Sequence, residues 1–157
     1  MTVLITGCTP GGKAYGLSAA DVAGEWHALL NQDLTVRLNE DGSFTTESWP
    51  SRLYCEMPAA SKASAYLYAE GEDLSGEWTA SFEGDSAIFF AFDAPPCQPS
   101  SFQTTVMRDA DRLAICLNVR PGADPDSIRQ DEQIMLVRNE DLDWHGPVPC
   151  GEPLGGE

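Results

Sequence analysis

The chain has 157 residues, a length that suits a single domain. Hydrophobic residues make up 42% and charged residues 22%, which supports a packed core and argues against wholesale disorder. Asp and Glu number 25 against 9 Lys and Arg, a formal charge of −16 that repels phosphate backbones and excludes nucleic-acid binding as a main function. No apolar run approaches the roughly 20 residues of a spanning helix.

The first element is a short apolar run, Val3-Leu4-Ile5, followed by Thr6-Gly7-Cys8. Ile5-Thr6-Gly7-Cys8 resembles the lipobox of bacterial lipoproteins, in which an aliphatic residue and two small ones precede the cysteine that is lipidated. The resemblance implies that residues 1–7 are the remnant of a signal peptide and that Cys8 carries the lipid. It also implies that residues 8–19, small, Gly-rich and polar, form a flexible tether. No Lys or Arg precedes Cys8, and the apolar run is shorter than a leader needs. The basic part of the leader is therefore expected upstream of Met1. The alternative is a true start at Met1 with Cys8 a free thiol in the cytoplasm.

Gly7 to Lys13 also fits G-x-x-x-x-G-K, most of a phosphate-binding loop. That loop needs Ser or Thr next and a helix opening at the lysine. Ala14 follows instead, and Gly16 with Ser18 makes a poor first turn. Residues 18–22 are expected as a short helix, with Ser18 as N-cap and Asp21 at N3.

From residue 20 the dominant period is two, the period of strands. Leu34, Val36 and Leu38 alternate with Thr35 and Arg37. Asp41-Gly42 is a hairpin signal, and Phe44 and Thr46 begin the return strand. Trp78, Ala80 and Phe82 alternate. Residues 87–92 form a continuous apolar run and predict a strand that is covered on both faces or very central in the sheet. Phe102, Thr104 and Val106 alternate, the run Arg108-Asp109-Ala110-Asp111 turns, and Leu113, Ile115, Leu117 and Val119 alternate back. Residues 133–138 are the last strand. Residues 59–69 fit helix or strand equally, and residues 140–157 form an irregular tail. Seven or eight short strands joined by turns read as an all-β antiparallel meander over residues 20–139.

Val22-Ala23-Gly24-Glu25-Trp26 and Leu74-Ser75-Gly76-Glu77-Trp78 share one form, and each is expected to open a strand. The opening at Gly24 and Trp26, with its alternating strand and Asp-Gly hairpin, resembles the start of lipocalin-like (calycin-type) barrels. With the lipobox, the whole is similar to small lipid-anchored lipocalin-like proteins of Gram-positive bacteria, most without an assigned activity. The resemblance implies an up-and-down meander closing into a barrel, with Trp26 plugging one end. It implies an anchor at the extracytoplasmic face of the cell membrane, and it names no ligand. Plain core packing accounts equally for Trp26 and Trp78.

With Cys8 assigned to lipid, Cys55, Cys97, Cys116 and Cys150 remain, an even number allowing two disulfides in three connectivities. None lie close enough in sequence for the paired spacing of structural zinc, so no metal site is expected. In a meander, alternate loops lie at the same end, which favours Cys55–Cys97 and leaves Cys116 to pin the tail through Cys150. Each bridge would be worth on the order of 3–4 kcal/mol.

No catalytic motif is present. His27 follows Trp26 in a strand, His145 lies in the tail, and nothing marks a nucleophile between them, so no enzyme activity and no cofactor is expected. Acidic clusters at residues 70–73, 109–111, 124–126 and 131–132 lack calcium-loop spacing and read as solvated faces. Two functions stay open for an expected monomer. One is a binding module for a small hydrophobic ligand, which an eight-strand barrel can hold. The other is a filled barrel that meets a basic protein partner through its acidic surface, as an inhibitor or envelope-assembly factor would. The bulky Phe82, Phe89, Phe90, Phe92 and Phe102 lean toward a filled interior.

Overall fold

A computed structural model describes residues 12–29, 33–51, 53, 66, 70–81, 83, 86–94, 101–119, 129–144, 149 and 150. Its strands in chain order are β1 (Gly12–Lys13), β2 (Gly24–Ala28), β3 (Thr35–Leu38), β4 (Ser43–Pro50), β5 (Gly71–Ser81), β6 (Ala87–Phe92), β7 (Ser101–Asp109), β8 (Arg112–Asn118) and β9 (Gln133–Arg138), with one helix, α1 (Ala19–Val22), between β1 and β2. Strands β2 to β9 pair in sequence order, every pair antiparallel, and β9 returns to β2. This closes an eight-strand up-and-down barrel, the all-β meander expected from the alternation and consistent with a lipocalin-like barrel. Closure leaves no free sheet edge among these strands.

The alternation works as read. Trp26, Ala28, Val36, Leu38, Phe44, Trp78, Ile88, Phe90, Val106, Ile115, Leu117, Ile134 and Leu136 are all buried in one core cluster. Their neighbours Glu25, Arg37, Thr45, Glu77 and Ala91 are partly or fully exposed. The hairpin at Asp41-Gly42 also forms as expected. Asp41 Oδ1 accepts from the Ser43 amide at 2.9 Å and from its hydroxyl at 2.6 Å, while Gly42 takes φ +92°, a value that favours glycine.

Two expectations need correction. The 87–92 run is not covered on both faces: burial alternates along β6, and Phe89 points outward with 38% of its surface exposed. The outer face of β5, β6 and β7 carries no second layer there, so a continuous apolar run does not imply double burial. The second Gly-Glu-Trp does not open its strand either. β5 begins at Gly71, five residues before Gly76. The early part of β5 carries Glu72, Asp73 and Ser75 around a single apolar residue, Leu74, so its apolar signature is weak, yet it pairs with β4 on both sides of a bulge. Gly76 is needed because a Cβ there would sit 2.0 Å from the Ala91 carbonyl oxygen.

Residues 12–19 are tied to the barrel. β1 pairs with Met107 and Arg108, beyond Thr105, which pairs with Ala87 at the start of β6. Ala14 is buried, and its amide donates to the buried Ser86 hydroxyl at 3.0 Å. Lys13 lies in this strand, and the first helix begins only at Ala19, so no phosphate-binding helix opens at the lysine. Cys8 lies outside the described residues, as do Cys55, Cys97, His145, Phe82 and nearly all of residues 59–69.

A second, smaller core lies outside the barrel. Ala114, Cys116, Met135 and Val137 project from the outer face of β8 and β9, and Trp144 and Cys150 of the tail cover them. A Cys116–Cys150 disulfide, with Cα atoms 5.5 Å apart, fastens the tail there. The Arg112 guanidinium stacks 3.8 Å from the centre of the Trp144 ring.

Candidate binding site

The two ends of the barrel are built from different materials. At one end the strands are joined by the short turns at residues 39–42 and 110–111, and α1 lies across the opening. Asp21 accepts from the Ser18 amide at 2.7 Å and from its hydroxyl at 3.0 Å, which fixes the start of α1 as expected. Those two donors hold the Asp21 carboxyl below its ordinary value. Trp26 is fully buried under α1, and its indole N–H donates to the Val22 carbonyl at 2.8 Å. Arg138, the last residue of β9 and the cross-strand partner of Trp26, lies over that ring at 4.2 Å. Its guanidinium donates to the carbonyls of Ala23 at 2.7 Å and Asp21 at 2.5 Å. Gly24 leaves the space for this: a Cβ would stand 2.5 Å from Arg138 Nη1. Trp78, from the second Gly-Glu-Trp, donates its indole N–H to the Asn39 carbonyl at 2.9 Å. The barrel-end pair Gly24 and Trp26 thus sits at a plugged end in which each indole N–H has an acceptor.

The opposite end is where the connections 29–34, 51–70, 93–100 and 119–132 leave the barrel. The second and third of these contain Cys55 and Cys97. Lining the interior toward this end is an aromatic column. Phe44 meets Phe90 edge-on at 5.1 Å, Phe90 stacks on Phe102 at 5.0 Å, and Trp49 contacts Phe92 at 5.4 Å and Phe102 at 5.5 Å. Leu74 and Phe102 are only partly buried here, while Leu53 and Tyr66 of the connection 51–70 are fully buried in the same core cluster, so that connection covers part of this end.

Trp49 reaches the interior through an irregularity. Thr46 pairs with Leu74 but Trp49 pairs with Glu72, so β4 carries one extra residue. Ser48 takes φ +57°, and its amide is tied to Asp73 Oδ1 at 3.2 Å. The bulge presses on Gly71, where a Cβ would lie 2.6 Å from the Ser48 Cα. Without the bulge, alternation from Phe44 and Thr46 would point Trp49 outward.

Two hydroxyls of this half of the interior are bonded to backbone. The Thr46 hydroxyl accepts from the Leu74 amide at 3.1 Å, and the Thr104 hydroxyl donates to the Ile88 carbonyl at 3.2 Å. The Trp49 indole N–H is buried and has no acceptor among the described residues.

His27 lies on the outer face of β2. Its Nδ1 is 3.2 Å from the Thr35 hydroxyl, and its Nε2 stands 2.9 Å from Glu25 Oε1, close but off the hydrogen-bonding line. Arg37 hydrogen-bonds the other Glu25 oxygen and holds that carboxyl below its ordinary value. Hydroxyl, imidazole and carboxylate do line up, but Thr35 is buried in a paired strand, and the arrangement reads as a cross-strand network. Among the described residues no three His, Cys, Asp or Glu side chains gather to hold a metal ion.

Cys116 and Cys150 are bonded to each other, as the meander suggested. Periodicity missed Trp49, Arg138 and Gly71. The bulge inverts the alternation at Trp49, and the Trp26–Arg138 pairing spans the whole chain, so no local pattern announces either.

No protein-family model, curated protein or solved structure matches the chain.

Proposed function

We propose that this protein is a lipid-anchored extracytoplasmic binding module, holding a small apolar ligand at the unplugged end of its barrel. The observation that carries the binding reading is the contrast between the ends: one sealed by Trp26, Arg138 and α1, the other an aromatic-lined mouth with a buried, unpaired indole N–H. An eight-strand barrel is just wide enough for one small ligand. Anchoring rests on the lipobox resemblance at Cys8. Only residues 9–11 separate Cys8 from β1, a reach of at most about 14 Å. β1 pairs near the plugged end, so a lipid on Cys8 holds that end toward the membrane and turns the mouth away from it.

Two mass measurements test this reading. Expressed with its own upstream coding sequence, the protein should yield an N-terminal peptide beginning at Cys8 and carrying a thioether-linked diacylglyceryl group. Retention of residues 1–7 on an unmodified Cys8 overturns anchoring. Native mass spectrometry of the purified protein should show a bound small molecule, released on unfolding. A bare mass before and after incubation with apolar compounds overturns binding.

The second reading, an interaction factor with a filled barrel, draws support from the outer face. Phe89 is exposed in a shallow depression of about 380 Å³ beside Glu77, Thr79, Ala91, Ser101 and Gln103. A bare native mass together with capture of a basic protein would favour it.

A further inference from the structure

We propose that Trp49 selects the ligand: the mouth takes a neutral molecule of aromatic size carrying a hydrogen-bond acceptor, bound through the Trp49 indole N–H. This deepens the binding reading and rests on it.

A buried indole N–H normally finds a partner, because leaving it unpaired costs roughly 1–3 kcal/mol. Trp26 and Trp78 obey that rule with the carbonyls of Val22 and Asn39. Trp49 does not, although it is as buried as they are, at 2% exposure. Its position is no accident of a flexible loop. It is set by a bulge with a left-handed Ser48, an Asp73 tie and a glycine at 71 that alone leaves room. The chain therefore spends three positions on turning into the interior a donor that meets no acceptor among the described residues, and in the proposed complex the ligand supplies that acceptor.

The surroundings define what brings it. Phe92 and Phe102 contact the Trp49 ring, and Phe102 is reached by solvent, so an aromatic surface lies beside the donor. That surface suits a flat apolar body. Glu72 stands directly across the ladder from Trp49, on the same face, and is exposed at the rim. Together with the −16 of the chain, this carboxylate disfavours an anionic acceptor. A neutral carbonyl or ether oxygen fits, and a carboxylate does not.

Three naphthalene probes of nearly equal shape separate these terms: 2-acetylnaphthalene, which offers a neutral acceptor, 2-ethylnaphthalene, which offers none, and 2-naphthoate, which is charged. Affinities are measured by tryptophan fluorescence titration on the full chain and on Trp49→Phe. The variant keeps an aromatic ring and removes the donor together with part of the indole's volume, and its fold is checked by circular dichroism and melting. On the unsubstituted protein the acetyl compound should bind roughly tenfold more tightly than the ethyl compound, with the naphthoate weakest. In Trp49→Phe the acetyl and ethyl compounds should bind alike, at the affinity of the ethyl compound. Equal binding of acetyl and ethyl compounds to the unsubstituted protein overturns the selection by Trp49 and leaves the binding reading standing. A preference that survives in Trp49→Phe overturns it as well. Failure of all three to bind, with a bare native mass, overturns both.

Discussion

The plugged end and the mouth of this barrel face the same problem, an apolar interior meeting water, and resolve it differently. At the plugged end every large side chain is tied twice. Trp26 is buried, hydrogen-bonded to Val22 and covered by Arg138, and Arg138 itself caps two carbonyls of the segment that crosses the opening. At the mouth Trp49 is buried by contact alone, and Leu74 and Phe102 stay partly in solvent. The lesson is that burial and satisfaction are separate quantities. Stability is concentrated where both hold, and the proposed binding is placed where burial runs ahead of satisfaction.

The largest effect should come from removing the plug. Trp26→Ala is expected to cost about 3–5 kcal/mol, combining the cavity with a stranded Arg138, as read from urea unfolding. If the cost falls under about 1 kcal/mol, the plugged end does not hold the barrel together. Next comes the strap on the outer face. Cys150→Ser frees the tail from Cys116 and should cost about 3 kcal/mol, and it should raise hydrogen exchange in β8 and β9 while leaving the Trp26 end unchanged. Arg138→Met removes two charged hydrogen bonds but keeps apolar cover over Trp26, and about 2 kcal/mol should be lost. The plugged end also carries an acid-sensitive contact at Asp21. Its carboxyl is held below the ordinary 3.8 by Ser18, so its contribution is fully present above that value and is lost as pH falls through the lower folded value. Asp21→Asn should lower stability at neutral pH, where the carboxylate contributes, and converge with the unsubstituted protein once pH falls below the folded value, which flattens the acid limb. The smallest effect belongs to the mouth. Trp49→Phe removes a donor that has no acceptor, and stability should change by less than about 1 kcal/mol.

The fold was legible because period-two alternation from Leu34 to Arg138 is carried by residues whose burial decides which face turns inward. Gly24 and Trp26 were legible as a barrel end through a resemblance, and Cys116–Cys150 through the meander's order of loops. The mouth was not legible. Trp49 sits after a bulge, and a single extra residue reverses the parity on which alternation depends. The start of β5 escaped because acidic Glu72 and small Gly76 flank Leu74 on its inward face, so a single apolar residue marks the segment. Phe89 read as interior because an apolar run looks the same whether one or both of its faces are covered.

The most direct test of the two-ended account is a ¹H–¹⁵N titration of the protein with 2-acetylnaphthalene, followed at the indole N–H groups. The Trp49 resonance, assigned by its absence in Trp49→Phe, should move downfield along with the amides of Leu74, Phe92 and Phe102, while the Trp26 and Trp78 indoles stay in place. Movement at Trp26 or Trp78 with none at Trp49 would contradict the account.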